Sequence, residues 1–191
     1  IDAGYTPSPG DVFDFVTYAS RTGTITLGVN PYSGFSLIHQ ATRVRLAQAA
    51  ATTCTWNGST GPWSDPARWV DCSAAVGPPG GTPGPAETAV ITAGTVTLDF
   101  PVVVGGLDMT GGVLNGANDL NIVNSFNWTG GRIEAPAGPA QTLILQTGAS
   151  ALLSGGQKVL DRRQFGINGS LIWTTGLIEL ANGAGIQISP T

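Results

Sequence analysis

Lysine is almost missing from this chain. Lys158 is the only one in 191 residues, and charged residues make up 10% of the sequence, against roughly 25% in an average soluble domain. The surface must therefore draw its polarity from Thr, Ser, Asn, Gln and Gly, as extracellular β-rich proteins do and cytosolic enzymes seldom do. Net charge is −4, and no basic cluster exceeds Arg162-Arg163, so the electrostatic footprint of a nucleic-acid binder is lacking. No apolar run approaches the ~20 residues that span a bilayer. The chain starts at Ile1, without a charged n-region and apolar h-region, and is expected to be a piece of something longer.

Catalytic chemistry is sparse as well. His39 is the only histidine, and no G-x-S-x-G elbow supports a serine nucleophile. Asp99, Asp108, Asp119, Glu134, Asp161 and Glu179 are scattered, whereas glycoside hydrolysis needs paired carboxylates. Asp161-Arg162-Arg163 is the one dense charge group. It reads as a solvated corner with an ion pair; the rival reading is an anionic-sugar site. No D-x-D-x-D-G calcium loop occurs. The expectation is no enzyme, no metal site and no cofactor.

What the chain does contain is repetition. Thr110-Gly111-Gly112-Val113-Leu114 is followed by Trp128-Thr129-Gly130-Gly131-Arg132-Ile133 and later by Trp173-Thr174-Thr175-Gly176-Leu177-Ile178. Self-similarity at a period near 20 residues marks solenoids. Between the copies lie short β-branched or apolar pieces, Val96-Thr97-Leu98, Leu120-Asn121-Ile122-Val123, Thr142-Leu143-Ile144-Leu145 and Leu171-Ile172-Trp173. Glycine and asparagine corners bound them, including Asn115-Gly116, Asn168-Gly169 and Asn182-Gly183. One coil cannot bury its inward side chains alone, but stacked coils can. The fold class is therefore all-β, a right-handed parallel β-helix over residues 91–191.

Residues 1–50 read differently. Val12–Tyr18, Thr24–Val29, Ser36–His39 and Thr42–Leu46 are strand-like, and together they suggest a small antiparallel cap or sandwich. Residues 47–51, small and alanine-rich, read as a connector. Residues 51–90 form a third segment, rich in Trp, Pro and Gly.

Two stretches carry a family resemblance. Gly4-Tyr5-Thr6-Pro7, Gly10-Asp11-Val12-Phe13 and Tyr18-Ala19-Ser20-Arg21-Thr22-Gly23-Thr24 resemble the closing phrase "GYTP…GDxFxxLxYxSxxGxF". The opening phrase "WxG…WSDPANW…P…DTAVI…VTL" resembles Trp56-Asn57-Gly58, Trp63–Trp69, Pro83–Ile91 and Val96-Thr97-Leu98. Both phrases belong to β-helix modules of bacterial autotransporters and filamentous adhesins. Glu87 stands where that pattern has Asp, and Arg68 where it has Asn. Here the closing phrase precedes the opening one, so the resemblance implies a junction between modules of a longer surface protein, or a chain whose end completes its neighbour in a fibre.

Cys54 and Cys72, 18 residues apart, read as a disulfide formed in an oxidising compartment. Trp56, Trp63 and Trp69 lie between them. They read as a plug of a core end, or else as a glycan-stacking platform. Taken together, these features predict an exported, non-enzymatic structural or adhesive β-solenoid at the cell surface. Its partners would be neighbouring modules, surface glycans or copies of itself joined head to tail. Tyr5, Phe13, Phe15 and Tyr18 would cover Ile186 and Ile188 of another copy by strand addition. The alternative is a carbohydrate-binding or polysaccharide-cleaving β-helix.

Overall fold

A computed structural model describes residues 12–20, 22, 35–39, 42–48, 53–72 and 81–189. The chain divides into two compact units, Ile1–Ala51 and Thr52–Thr191.

In the first unit, β1 (Val12–Thr17), β2 (Phe35–His39) and β3 (Arg43–Gln48) form an antiparallel sheet of order β1-β3-β2. The strand-like piece Thr24–Val29 lies outside the described residues. β3 continues through Ala47 and Gln48, which read as connector in the sequence; pairing of Ala47 with Val12 and Ser36 overrides their weak strand propensity. Val44 is buried.

The second unit is a β-solenoid of about five turns. Its strands are β4 (Thr53–Trp56), β5 (Thr60–Pro62), β6 (Trp69–Val70), β7 (Thr88–Ile91), β8 (Thr95–Thr97), β9 (Val102–Met109), β10 (Val113–Asn115) and β11 (Leu120–Trp128). Then follow β12 (Gly131–Glu134), β13 (Gln141–Leu145), β14 (Ser150–Leu153), β15 (Lys158–Asp161), β16 (Arg163–Ile167), β17 (Ser170–Trp173), β18 (Ile178–Ala181) and β19 (Gly185–Ile188). Among the described residues there is no α-helix, only a 3-10 turn at Pro66–Arg68. Apart from the antiparallel β4–β6 pair, strands in this unit pair in parallel.

The register resolves into three faces. One face stacks β5, β8, β10, β12, β15 and β18. A second stacks β4, β7, the later half of β9, the later half of β11, β14 and β17. The third stacks the earlier halves of β9 and β11 with β13, β16 and β19. β9 and β11 turn a corner within one strand, and their register shifts between Ile122 and Ser125.

Alternation supplies the core. Val102, Leu120, Leu143, Phe165 and Ile186 form one inward column, and Val104, Ile122, Leu145, Ile167 and Ile188 the next. On the opposite faces run Ile91, Met109, Trp128, Leu153 and Trp173, and Val96, Leu114, Ile133, Leu160 and Leu180. Sizes compensate along a column: Phe126 stacks on Ala151 and meets Phe165 edge-on at 5.6 Å. Such interdigitation is what close packing demands.

One corner explains the repeated phrase. Gly112 and Gly131, with φ 71° and 89°, succeed one another where the second face turns into the first. At Gly131 a Cβ would lie 2.8 Å from backbone atoms of Gly111 and Gly112, so both the left-handed bend and the close coil contact require glycine. Leu153-Ser154-Gly155-Gly156 fills this place between the Trp128 and Trp173 copies.

Candidate functional site

The first coil is closed by a built cap. β6 covers β4 through the pairs Thr55–Val70 and Trp56–Trp69, and Cys54 is bonded to Cys72 at 2.00 Å. Trp56, Trp63 and Trp69 pack ring to ring, with centroids 5.0 and 4.8 Å apart, and all three are buried. They form the plug; no glycan can stack on rings that solvent does not reach. Trp56 Nε1 donates to Ser59 O and Trp69 Nε1 to Trp63 O, each at 2.9 Å. Asp65 caps the 3-10 turn through the Ala67 N–H. It also pairs with Arg68 Nε at 2.8 Å. The Arg68 side chain lies over Gly61, in space that a Cβ would occupy. Arg68, set where the resemblance has Asn, thus covers the edge of β5, and its NH1 donates to Ser59 Oγ at 2.6 Å. Glu87, which replaces Asp in that pattern, is buried and accepts from the Gly84 N–H at 2.8 Å, bracing a Pro-Gly-Pro turn.

The dense charge group is only in part the solvated corner with an ion pair expected from the sequence: Arg162 is exposed beside Asp161, but Asp161 and Arg163 are interior. Arg163 points inward and is fully buried. Its NH1 donates to Asn118 O (2.9 Å) and Thr142 O (3.1 Å), its NH2 to Gly116 O (2.9 Å) and Glu134 O (3.4 Å). It thereby ties successive coils at the corner that follows the first face, while Nε has no partner. Burial pushes its pKa down to about 10, with Asp119 opposing. Asp161 is also buried. It accepts from Arg132 and, at 2.9 Å, from Asn182 Nδ2, with Arg162 at 3.8 Å. The side chain of Arg132 also reaches Glu134, whose hydrogen bond raises its pKa. Arg163 itself offers no face to an anionic sugar, while Arg132 and Arg162 are partly exposed.

Lys158 is the other interior cation among the described residues. Its Nζ donates to Ser154 O (2.5 Å) and Gly156 O (2.9 Å) at the glycine corner, and burial lowers its pKa. In both cases a cation donates to backbone carbonyls gathered at tight corners.

The far end is unlike the first. In the final coil the inward positions reach solvent: Trp173 is 51% exposed, Leu180 50% and Ile188 70%, whereas Leu153, Leu160 and Ile167 one coil earlier are buried. Ile186 is half-buried. The outward-pointing Ile172 and Leu177 add to this apolar end. β17, β18 and β19 each pair on one side only.

Of the other residues singled out in the sequence, Tyr5 lies outside the described residues. Phe13 and Phe15 belong to β1, and Tyr18 Oη donates to Arg43 O at 3.2 Å. His39 ends β2. Among the described residues no three His, Cys, Asp or Glu side chains are grouped to hold a metal ion, and no helix is long and apolar enough to cross a membrane. A shallow groove between Pro83, Pro85, Phe100, Pro101, Val102 and Val103 carries no titratable side chain. No protein-family model matches the chain, and comparison with curated proteins and with solved structures finds no match either.

Proposed function

We propose that this chain is an exported, non-enzymatic structural or adhesive unit, of the kind its resemblance to autotransporter and filamentous-adhesin modules implies. It would belong to a larger surface protein or to a fibre. The observation that carries the reading is the contrast between the two ends of the solenoid. One is plugged by a disulfide, a Trp trio and an antiparallel strand, with β5 and β6 at its edge, while the other offers an apolar cross-section beside the edges of β17, β18 and β19. Exposed strand edges are templates for pairing. A further coil of the same polypeptide, or strands from a second chain, would satisfy that end by β-augmentation. In the fibre version the donor is the N-terminal segment of another copy, with Tyr5, Phe13, Phe15 and Tyr18 meeting Ile186 and Ile188. The Cys54–Cys72 bond fits passage through an oxidising compartment.

Electron microscopy and sedimentation of the purified chain test this. End-to-end filaments or concentration-dependent oligomers are expected, and deletion of residues 1–20 should abolish them. Filaments that persist in the truncation would remove the N-terminal segment as donor. A monodisperse monomer that instead binds polysaccharides on an array would favour the carbohydrate-binding alternative, for which the buried Trp trio offers no surface.

A further inference from the structure

We propose that Asn182 is a site of spontaneous deamidation, and that the modification loosens the last coil. Four Asn-Gly pairs occur, at Asn57, Asn115, Asn168 and Asn182. In such a pair the backbone nitrogen of the glycine attacks the asparagine Cγ. The new C–N bond forms as the side-chain amide leaves as ammonia, closing a succinimide, and water then opens the ring to aspartate or isoaspartate. Water is the only co-reactant. Glycine obstructs the attack least, so the surrounding structure decides which pair reacts.

The four sites differ in freedom. Gly116 and Gly169 are pressed against backbone of the adjacent coil, with Leu98 O and Ala149 O close to the position of a Cβ. Asn115 Oδ1 is buried, and Asn168 Oδ1 accepts from Ser189 Oγ at 2.8 Å. Asn57 is exposed, but its Oδ1 accepts from both Ser59 N and Ser59 Oγ, and its own N–H is bonded to Arg68 O within the disulfide-closed cap. Asn182 is exposed in the turn between β18 and β19; its Oδ1 has no bond of the kind Asn57 and Asn168 make, and although Gly183 O accepts from Gln164 Nε2 at 2.8 Å, no atom lies within 4 Å of a Cβ built on Gly183. Among the described residues no strand pairs with β18 or β19 on their outer side. Regions with few covering contacts open most readily, and cyclisation needs that freedom.

The consequence follows from the contact Asn182 makes. Its Nδ2 donates to Asp161 Oδ1 at 2.9 Å, and the Asp161 side chain is 1% exposed. Deamidation turns this donor into a second carboxylate beside Asp161, so that an attraction becomes a like-charge repulsion and Arg132 and Arg162 must serve two carboxylates in place of one. Asn182 also holds φ 51°, stacked beside Arg162 at φ 56°, a conformation asparagine tolerates better than most residues. An isoaspartate there inserts a methylene into the backbone of the turn. Both products work against docking of β18 and β19 on the coil beneath.

Peptide mapping of the folded chain, aged at mildly alkaline pH beside a sample in urea, tests the site. In urea the four pairs should react at similar rates. In the folded chain Asn182 should react first, with Asn115 and Asn168 about tenfold or more slower than in urea, because they react only through local opening. Protection of Asn182 equal to that of Asn168, or faster loss at Asn57, would overturn the assignment. Asn182→Asp tests the consequence: hydrogen exchange should accelerate over residues 178–188 and not in the earlier coils. Asn182→Gly, which accepts the backbone angle and cannot deamidate, should show no ageing-dependent acceleration. Unchanged exchange in Asn182→Asp would refute the loosening.

Discussion

Leu153 and Trp173 occupy the same inward column one coil apart, and one is fully buried while the other is 51% exposed. The position is identical in register; only the presence of a coil above it differs. The same contrast separates Leu160 from Leu180 on the next face.

Leu160→Ala should therefore cost about 2–5 kcal/mol, the range for truncating a fully buried leucine. Leu180→Ala should cost clearly less in the monomer, because half of that side chain is already in water. Urea unfolding of the two variants at low protein concentration measures the difference. At high concentration Leu180→Asp should reduce end-to-end association, read by sedimentation.

Arg163→Met is expected to lower stability by roughly 3 kcal/mol. The methionine fills the space but leaves carbonyls of several coils without a donor, and unsatisfied buried polar groups cost about 1–3 kcal/mol each before relaxation. Arg163→Lys should recover only part of the loss, since one ammonium cannot span the carbonyls of Gly116 and Thr142 together. Thermal unfolding of the pair against the parent chain gives the order.

Lys158 sets a pH dependence with a definite sign. Burial lowers its folded pKa below the unfolded 10.5, so between those two values the unfolded chain binds more protons and stability rises with pH. The protonated lysine costs stability below that window, and the cost vanishes as pH climbs through it. Arg163, pushed down to about 10 by burial, has the same sign in a more alkaline window. Lys158→Met should flatten the lower part of this rise in denaturant midpoints measured across alkaline pH.

Reducing Cys54–Cys72, or replacing both residues by alanine, should destabilise the cap by about 3 kcal/mol, the loop-entropy value for a closure of this size. Because Trp56, Trp63 and Trp69 lie inside the bracketed loop, their fluorescence should shift to the red at a lower denaturant concentration than in the oxidised chain.

Gly131→Ala should be far more damaging than Gly148→Ala. Both glycines have positive φ, 89° and 85°, which costs alanine roughly 1 kcal/mol. Only at Gly131 would the added Cβ also collide with the backbone of the adjacent coil; nothing lies within 4 Å at Gly148. Melting temperatures of the two variants separate the clash from the backbone cost.

Much of the solenoid is readable in the one-dimensional pattern, because its constraints are local. An inward column needs apolar residues at alternate positions, and a tight corner needs glycine or asparagine. Both leave marks such as Thr110-Gly111-Gly112 and Asn182-Gly183. The copy at Leu153-Ser154-Gly155-Gly156 is hidden in the sequence because leucine replaces Trp and serine replaces Thr while the coil stays the same. The reading of Asp161-Arg162-Arg163 as a solvated corner failed at Asp161 and Arg163 for a different reason. Charge is a good guide to exposure only when no set of carbonyls waits inside, and Gly116, Asn118, Glu134 and Thr142 are spread along the chain.

The sequence by itself determined that this is an all-β stack of coils with a cysteine pair bracketing three tryptophans at its start. Period, alternation and turn chemistry each act within a few residues, so each is written in order along the chain. Only the tertiary structure decided which charges are interior and that the two ends differ. It also decided which Asn-Gly corner has no atom packed against its glycine. Those properties depend on what lies in the coil above or below, and two residues that touch there are separated in the sequence by a whole turn.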